Sequence, residues 1–453
     1  MQKYDVVIIG AGSSGVNTAT MLANKGMKIL VVGDKVGGNY HYSGSIASNS
    51  LYDLCKMYSN FTHTTVKFLD TNGDNLNYKL NIKKVRKFIE SKINKTVKVL
   101  EKQLADNKIG FIQGKAVFQN KNSIAVESEN LKTVVGFTKA VIATGAVRKK
   151  LDISVKVNLL SYDNIMSFGR IPSSIAIVGG GFAGCEFAVN YNNLGSAVTI
   201  IEKENRILNG IEPQLVKKVE EQFKKRGITI LKDTKITNID KIGNKGIIFF
   251  EKGDKCETEE IFLSTGSVPN IENLELEKAC VVTNGDLIVL NERLQTTNEN
   301  VYVVGDATNK DISLAYTNVS SELVANEILK MPYPDISRYI PTVVRLDPNI
   351  ASVGYTEEKA KKSGHEIQTV KYSYPGLEKI RESTTKGFIK VIFDKKSKKI
   401  LGVHVIGYGA AEIVSIFAVL MQSGSRVDVI SGYLFHNSGV AEIITGLASK
   451  VKI

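Results

Sequence analysis

The chain has 453 residues, 43% hydrophobic and 23% charged, and its 59 Lys and Arg against 46 Asp and Glu give a formal charge of +13 at pH 7. This length calls for two or three domains; the composition is that of a folded globular protein; and no apolar run reaches the roughly 18 residues that a membrane-spanning helix needs. The lysines are spread along the chain, without Arg–aromatic interleaving and without a helix-turn-helix or finger pattern, which argues against nucleic acid and leaves either a solvated surface or a basic face for an acidic partner or an anionic membrane surface.

The amino terminus enters an apolar strand, YDVVIIG, within four residues, so no signal peptide is expected. The four cysteines, Cys55, Cys185, Cys256 and Cys280, lie far apart and form no CxxC pair. Neither a disulfide framework nor a metal site is expected, and a reducing cytoplasm fits.

In chain order, residues 4–34 read as buried strand, glycine turn, helix and second buried strand, and residues 173–203 repeat the design. The runs VVII and IAIV are bounded by glycine, too short for helices, and suit a parallel sheet covered on both faces. Between the repeats, 88–105 has helical spacing, and 140–147 and 259–269 read as strands ending in glycine turns. Beyond Pro341 the pattern changes, with strands at 343–346, 389–393 and 401–406 and helices near 409–422 and 438–449. The expected fold is α/β: two Rossmann-like dinucleotide-binding domains (1–147 with 270–336, and 148–269) and a C-terminal α+β domain (337–453).

The first repeat carries Gly10-Ala11-Gly12-Ser13-Ser14-Gly15, a GxGxxG turn between strand and helix. Its glycines allow a tight turn, close approach to a pyrophosphate and close helix–strand packing, with the helix N-terminus facing the phosphate. The second carries the same pattern at Gly179, Gly181 and Gly184, and Glu202 lies 18 residues beyond Gly184, where a carboxylate accepts both ribose hydroxyls and repels a 2′-phosphate. This favours NAD(H) over NADP(H); the alternative for Glu202 is a surface acid at a strand end. In the first repeat the same spacing lands on Gly33 and the acid is displaced by one, to Asp34. Two dinucleotide sites in one chain suggest one bound flavin and one exchanging nicotinamide.

With these motifs, the turns at Ala143-Thr144-Gly145 and 264–270, VYVVGDA at 301–307 and PNIASVGYTEEKA at 348–360, the chain resembles the FAD-dependent pyridine nucleotide–disulfide oxidoreductases, close to dihydrolipoamide dehydrogenases, over nearly its whole length. The resemblance implies FAD and NAD(H) as cofactors, with Asp306 of the Gly305-Asp306 turn on the flavin ribityl chain. It places the backbone amides of Leu314, Ala315 and Tyr316 at the flavin pyrimidine edge, Gly114, Lys115 and Ala116 along the adenine, and Gly266 in the turn at 264–270. Glu186 would lie beside the nicotinamide and flavin N5. The C-terminal domain would form a two-fold homodimer.

The chain departs from the family at the redox motif. In GGNYHYSGSIASNS the glycines Gly37 and Gly38 remain, followed by Asn39, but Tyr40 and Ser45 stand at the two cysteine positions and Asn49 at the lysine that pairs with the glutamate. Hydroxyls do not undergo thiol–disulfide exchange. The nearest cysteine, Cys55, reads as a small hydrophobe on a helix. In the C-terminal HPxxxE motif Glu442 matches, but Asn437 replaces the histidine and His436 is one residue off register. The expectation is an FAD-dependent NAD(P)H oxidoreductase that passes electrons to a non-disulfide acceptor: a quinone, a dye, oxygen, an acidic protein such as a ferredoxin, or a second nicotinamide. Tyr40 would gate or fill the space over the flavin and His41 would be a nearby proton source. The alternative is a non-catalytic flavin-bearing subunit or regulatory module. Dihydrolipoamide dehydrogenase activity is not expected.

Overall fold

The computed structural model describes residues 1–63, 80–129, 132–162, 164, 169–310, 313–333, 339–373, 387–432 and 440–451. They fall into two units: 1–152, 160–170 and 265–334 in one, and 153–159, 171–264 and 335–453 in the other. The segment 171–264 shares its unit with the C-terminal segment.

In the first unit, strand Gln2–Ile9 lies between Ile29–Gly33 and Lys132–Ile142, parallel to both, with Val7 opposite Leu30 and Ala140. Gly110–Gln113 extends the sheet beyond Ile29–Gly33. Lys132–Ile142 serves two neighbours. Its first half pairs antiparallel with Ser123–Glu127, and its last three residues pair in parallel with Val301–Val303. The sequence merges this strand with the following turn; the strand ends at Ile142, before the Ala143–Gly145 turn. Val6 to Ile9 are buried without a break, because helix Ser13–Ala23 covers one face and the Phe118–Phe137 layer the other. Ser45–His63 and Ile82–Asp106 are long helices packed on each other; the second starts six residues before the periodicity suggested, capped by Asn81, whose side chain accepts the Lys84 N–H.

In the second unit, Thr229–Leu231, Ala197–Ile201, Ser174–Val178 and Glu260–Leu263 form parallel neighbours in that order. The C-terminal sheet is wholly antiparallel: Thr342–Val344, Ile350–Gly354, Ile400–Ile406, Phe388–Asp394 and Ile367–Ser373. Helices Ala410–Gln422 and Ala441–Ala448 pack Ile413, Phe417, Ile444 and Leu447 into its core.

Ion pairs tie the nicotinamide segment to the C-terminal segment. Lys390, 2% exposed on a central strand, bonds Glu212 at 2.7 Å and also pairs with Glu357. Glu212 is itself 3% exposed, and its second oxygen accepts the Glu357 N–H at 3.1 Å. Arg226 pairs with Asp347. Charges buried this deeply stay only where they are matched, so the two segments behave as one unit.

Candidate flavin and nicotinamide sites

The first fingerprint is shaped by collisions that side chains would cause. Gly10 has φ +118°, and a Cβ there would strike the Ala143 carbonyl; a Cβ on Gly15 would strike the Gly10 carbonyl. Both glycines are required by the fold. At Gly12, by contrast, the nearest atom to a Cβ would be Gly38 Cα, 4.0 Å away. The space that Gly12 leaves is open and lies at the N-cap of helix Ser13–Ala23, which has no side-chain cap. Open volume at an uncapped helix N-terminus is where a pyrophosphate is held.

Gly37 and Gly38 run alongside this turn. The Gly37 N–H donates to the Ala11 carbonyl at 2.8 Å, and a Cβ on Gly38 would be 2.9 Å from Gly12 Cα. The loop that opens GGNYHYSGSIASNS therefore lies against the fingerprint. Asn39 donates to the Ala146 carbonyl at 3.4 Å, joining it to the Ala143–Gly145 turn. Two hydroxyls here, Ser13 Oγ and Thr144 Oγ1, are buried with no hydrogen-bond partner. Buried polar groups are ordinarily satisfied, so two unpartnered hydroxyls, one at the helix N-terminus and one in the neighbouring turn, suit a ligand that would complete them. The residues present fit a bound dinucleotide.

Other predicted flavin contacts divide. Gly305 packs on the same helix, since a Cβ there would lie 2.7 Å from Ser14 Oγ, and this brings Asp306, half-buried, beside the fingerprint. Helix Leu314–Ile328 begins with Leu314 and Ala315, whose N–H groups have no acceptor among the described residues. Tyr316 is different: its N–H donates to the Ser313 side chain at 3.1 Å and is committed to capping. Two amides, not three, remain for a ligand. The Gly114 N–H donates to the Gly33 carbonyl at 3.2 Å, which places Lys115, exposed, at the end of the second strand. The Ala116 methyl is buried in the core, so only its backbone can line an adenine. Gly145 and Gly266, both at positive φ, face open space.

The missing acid at Gly33 has a local cause. A Cβ on Gly33 would lie 2.8 Å from the Ala11 nitrogen and 3.1 Å from the Ala11 methyl. At the second fingerprint the sizes are exchanged: Gly180 stands where Ala11 does, and Glu202 where Gly33 does. Glu202 fills the space, accepting the Gly180 N–H at 2.7 Å through one oxygen and the Glu204 N–H at 2.9 Å through the other. Asp34 is exposed beside Gly33. A Cβ on Gly184 would strike the Gly179 carbonyl, while Gly181 faces open space. The second turn thus shares two features with the first: the last glycine is forced by packing and the middle one is left open.

Glu186, on helix Phe182–Asn193, accepts the Arg345 N–H at 2.9 Å. The sequence left this carboxylate without its lysine, and nothing in the sequence signalled that a main-chain donor from the C-terminal segment would hold it. Glu442 lies in the first turn of Ala441–Ala448. His436 and Asn437 lie outside the described residues.

The loop at the cysteine positions forms a short helix, Gly38–Tyr42, followed by Ser45 at the start of Ser45–His63. Tyr40 is half-buried and meets His41 edge to face, with ring centroids 5.1 Å apart. His41 is 3% exposed, and its Nδ1 lies 2.8 Å from the Gly37 carbonyl. A carbonyl only accepts, so the proton is on Nδ1. Burial holds the His41 pKa below its ordinary value, although the Gly37 bond raises it. The neutral ring thus gives its Nδ1–H to the Gly37 carbonyl. Cys55 is fully buried on the following helix, where burial pushes its thiol up to about 12, so it carries no thiolate at neutral pH. Among the described residues no group of His, Cys, Asp and Glu is placed to hold a metal, and no helix is long and apolar enough to cross a membrane.

The chain belongs to the pyridine nucleotide-disulphide oxidoreductase family, whose pattern matches residues 4–321, and its dimerisation domain matches 340–447. It is a flavin-dependent oxidoreductase of that family, whose members bind FAD and use NAD(H). Dihydrolipoyl dehydrogenase of Staphylococcus aureus is 27% identical over 466 residues, spanning 99% of this chain and 96% of that one. The enzyme of that name from Mycobacterium leprae is 29% identical, spanning 91% of each. Among solved structures, the HOCl-induced flavoprotein disulfide reductase RclA from Escherichia coli superposes with a TM-score of 0.87 at 24% identity, covering 99% of this chain and 100% of that one. Its Cu(II) complex gives 0.88 at 23%, covering 100% of both. These two share the fold.

Proposed function

We propose that this flavoprotein oxidises NADH and delivers the electrons to an acceptor other than a disulfide. The observation that carries the reading is the loop at 37–50. It keeps the glycines that lie against the fingerprint but presents a tyrosine and a serine where exchange would need two thiols, and the nearest cysteine in sequence, Cys55, is buried and protonated.

When bound, FAD supplies the hydride-accepting ring and NADH the hydride. The chain's own residues hold and orient the two nucleotides. Gly12 and the N-terminus of Ser13–Ala23 receive a pyrophosphate, with Ser13 Oγ and Thr144 Oγ1 as further donors. The amides of Leu314 and Ala315 place the positive end of a helix dipole where negative charge is to be stabilised. Glu202, fixed by two backbone amides, accepts ribose hydroxyls and disfavours a 2′-phosphate, so NADH is preferred over NADPH. The Arg345 amide holds Glu186 in one orientation on its helix. Tyr40 occupies volume in the loop and excludes water, while neutral His41 braces it edge to face. The protein works as a homodimer through its C-terminal domain, in a reducing cytoplasm.

The test is turnover of the purified flavoprotein with a panel of acceptors. NADH-linked reduction of menadione or a dye, with no dihydrolipoamide turnover above a no-enzyme control, supports the reading. Measurable dihydrolipoamide turnover overturns it.

A further inference from the structure

We propose that an acidic protein docks on the lysine face of helix Ile82–Asp106 and is the electron acceptor. This rests on the non-disulfide reading above. The helix carries eight cations against three acids. Its buried positions, Val85, Ile89, Ile93, Val97 and Leu104, define one face. At 100° per residue, Lys84, Lys87, Lys95, Lys98 and Lys102 fall together on the opposite face, all exposed. The row runs for about 27 Å at 1.5 Å per residue.

Several surface lysines elsewhere are matched, among them Lys218 with Glu221, Lys232 with Glu220, Lys255 with Glu257, Lys362 with Glu358 and Lys395 with Glu366. None of the five on this row has an ion-pair partner among the described residues. Five like charges in one row repel one another and raise the potential in front of them, which an acidic surface relieves.

The position of the row gives it a use. The buried face of the same helix lies under the loop at 37–50, since a Cβ on Gly37 would be 3.2 Å from Val97 Cγ2, and helix Gly38–Tyr42 packs on it. A partner on the lysine face is therefore separated from that loop by one helix diameter, about 10 Å. Phe88 and Val99, 48% and 58% exposed, flank the row as apolar anchors.

A protein fits better than the other polyanions. A membrane-surface helix offers its apolar face to lipid, whereas here that face is already buried in the fold. The row itself has no arginine and one aromatic neighbour, Phe88, rather than the several arginines and stacking rings that grip phosphates and bases. The electron balance calls for one-electron carriers acting in pairs: each NADH gives NAD⁺, one proton and two electrons, and two oxidised acceptor proteins take one electron each.

The probe is an acidic iron–sulfur ferredoxin, with the flavin-loaded protein and its Lys87→Glu/Lys95→Glu/Lys98→Glu variant. Two quantities are read: ferredoxin affinity by fluorescence anisotropy, and NADH-dependent ferredoxin reduction beside menadione reduction. The expected result is a loss of about tenfold or more in affinity and in kcat/KM for ferredoxin at low salt, a flattened salt dependence, and unchanged menadione turnover. Equal ferredoxin binding by variant and parent overturns the proposal. So does binding of a DNA duplex or phosphatidylserine vesicles that exceeds ferredoxin binding and is lost in the variant. If NADH fails to reduce the parent's flavin, the functional reading fails, while the affinity arm still reads the docking face by itself.

Discussion

Replacing Glu202 by alanine isolates the part of the nicotinamide site whose geometry is best defined. The carboxylate is half-buried and accepts two main-chain N–H groups, from Gly180 at 2.7 Å and from Glu204 at 2.9 Å. Each oxygen retains a lone pair for a ribose hydroxyl. Hydrogen bonds to a charged group contribute about 1.5–3 kcal/mol each. The site is partly open to water, so the two ribose bonds together are placed at about 1.5–3 kcal/mol. At 1.4 kcal/mol per factor of ten, the alanine variant loses about 10–100-fold in kcat/KM for NADH. The same change removes the charge that repels a 2′-phosphate, so kcat/KM for NADPH holds or rises and the preference between the two nucleotides narrows. Glu202→Gln separates charge from shape: its amide keeps one acceptor oxygen but turns an N–H toward a main-chain donor. The assay is steady-state menadione reduction with each nucleotide, and far-UV circular dichroism reports whether the fold is kept. An alanine variant that leaves kcat/KM for NADH within twofold would refute the assignment of Glu202 to the ribose.

At the flavin turn, Gly12→Ala keeps the fold, because nothing stands within 4.0 Å of the added carbon except Gly38 Cα, but it releases flavin, while Gly10→Ala fails to fold because its carbon meets the Ala143 carbonyl; flavin content and thermal melts distinguish the two. Gly33→Glu alone destabilises by about 1–3 kcal/mol through crowding against Ala11, and the paired Ala11→Gly, copying the Gly180–Glu202 arrangement, recovers the part due to the Ala11 methyl but not that due to its backbone nitrogen, as read in urea denaturation. Lys390→Met leaves Glu212 buried without its cation and costs about 3–5 kcal/mol, and adding Glu212→Gln recovers part; a cost below about 1 kcal/mol would contradict the buried network. His41 and His404 are both held below the ordinary histidine value of 6.5, by burial first in each case. The unfolded chain takes up these protons before the folded one, so stability is full above pH 6.5 and falls as pH drops toward the folded values. His41→Asn shallows that fall, as read from unfolding free energy against pH.

The fold was legible because its signals are local. Both strand–GxGxxG–helix units, the turn at Ala143–Gly145 and three of the five late strands lie within one or two residues of their expected places, since glycine turns and uninterrupted apolar runs leave few alternatives, while Ile350–Gly354 and Ile367–Ser373 were not anticipated. What was not legible depends on partners distant in sequence. No pattern announces that Lys390, in an otherwise apolar strand, is neutralised by Glu212, or that the Arg345 amide caps Glu186. The role of Gly33 is visible only when Ala11 is seen beside it. The Ser313 cap, by contrast, could have been read from a serine preceding a helix-forming run, and would have removed Tyr316 from the amides offered to the flavin.

Anaerobic titration of the oxidised protein with NADH tests the central claim most directly, because it counts electron-accepting centres. A flavin alone takes two electrons, so one equivalent of NADH bleaches it fully and further NADH is left unoxidised; this is the predicted result. A flavin working with a redox disulfide would take four electrons and consume a second equivalent. That outcome, or a flavin that stays oxidised at saturating NADH, would contradict the account.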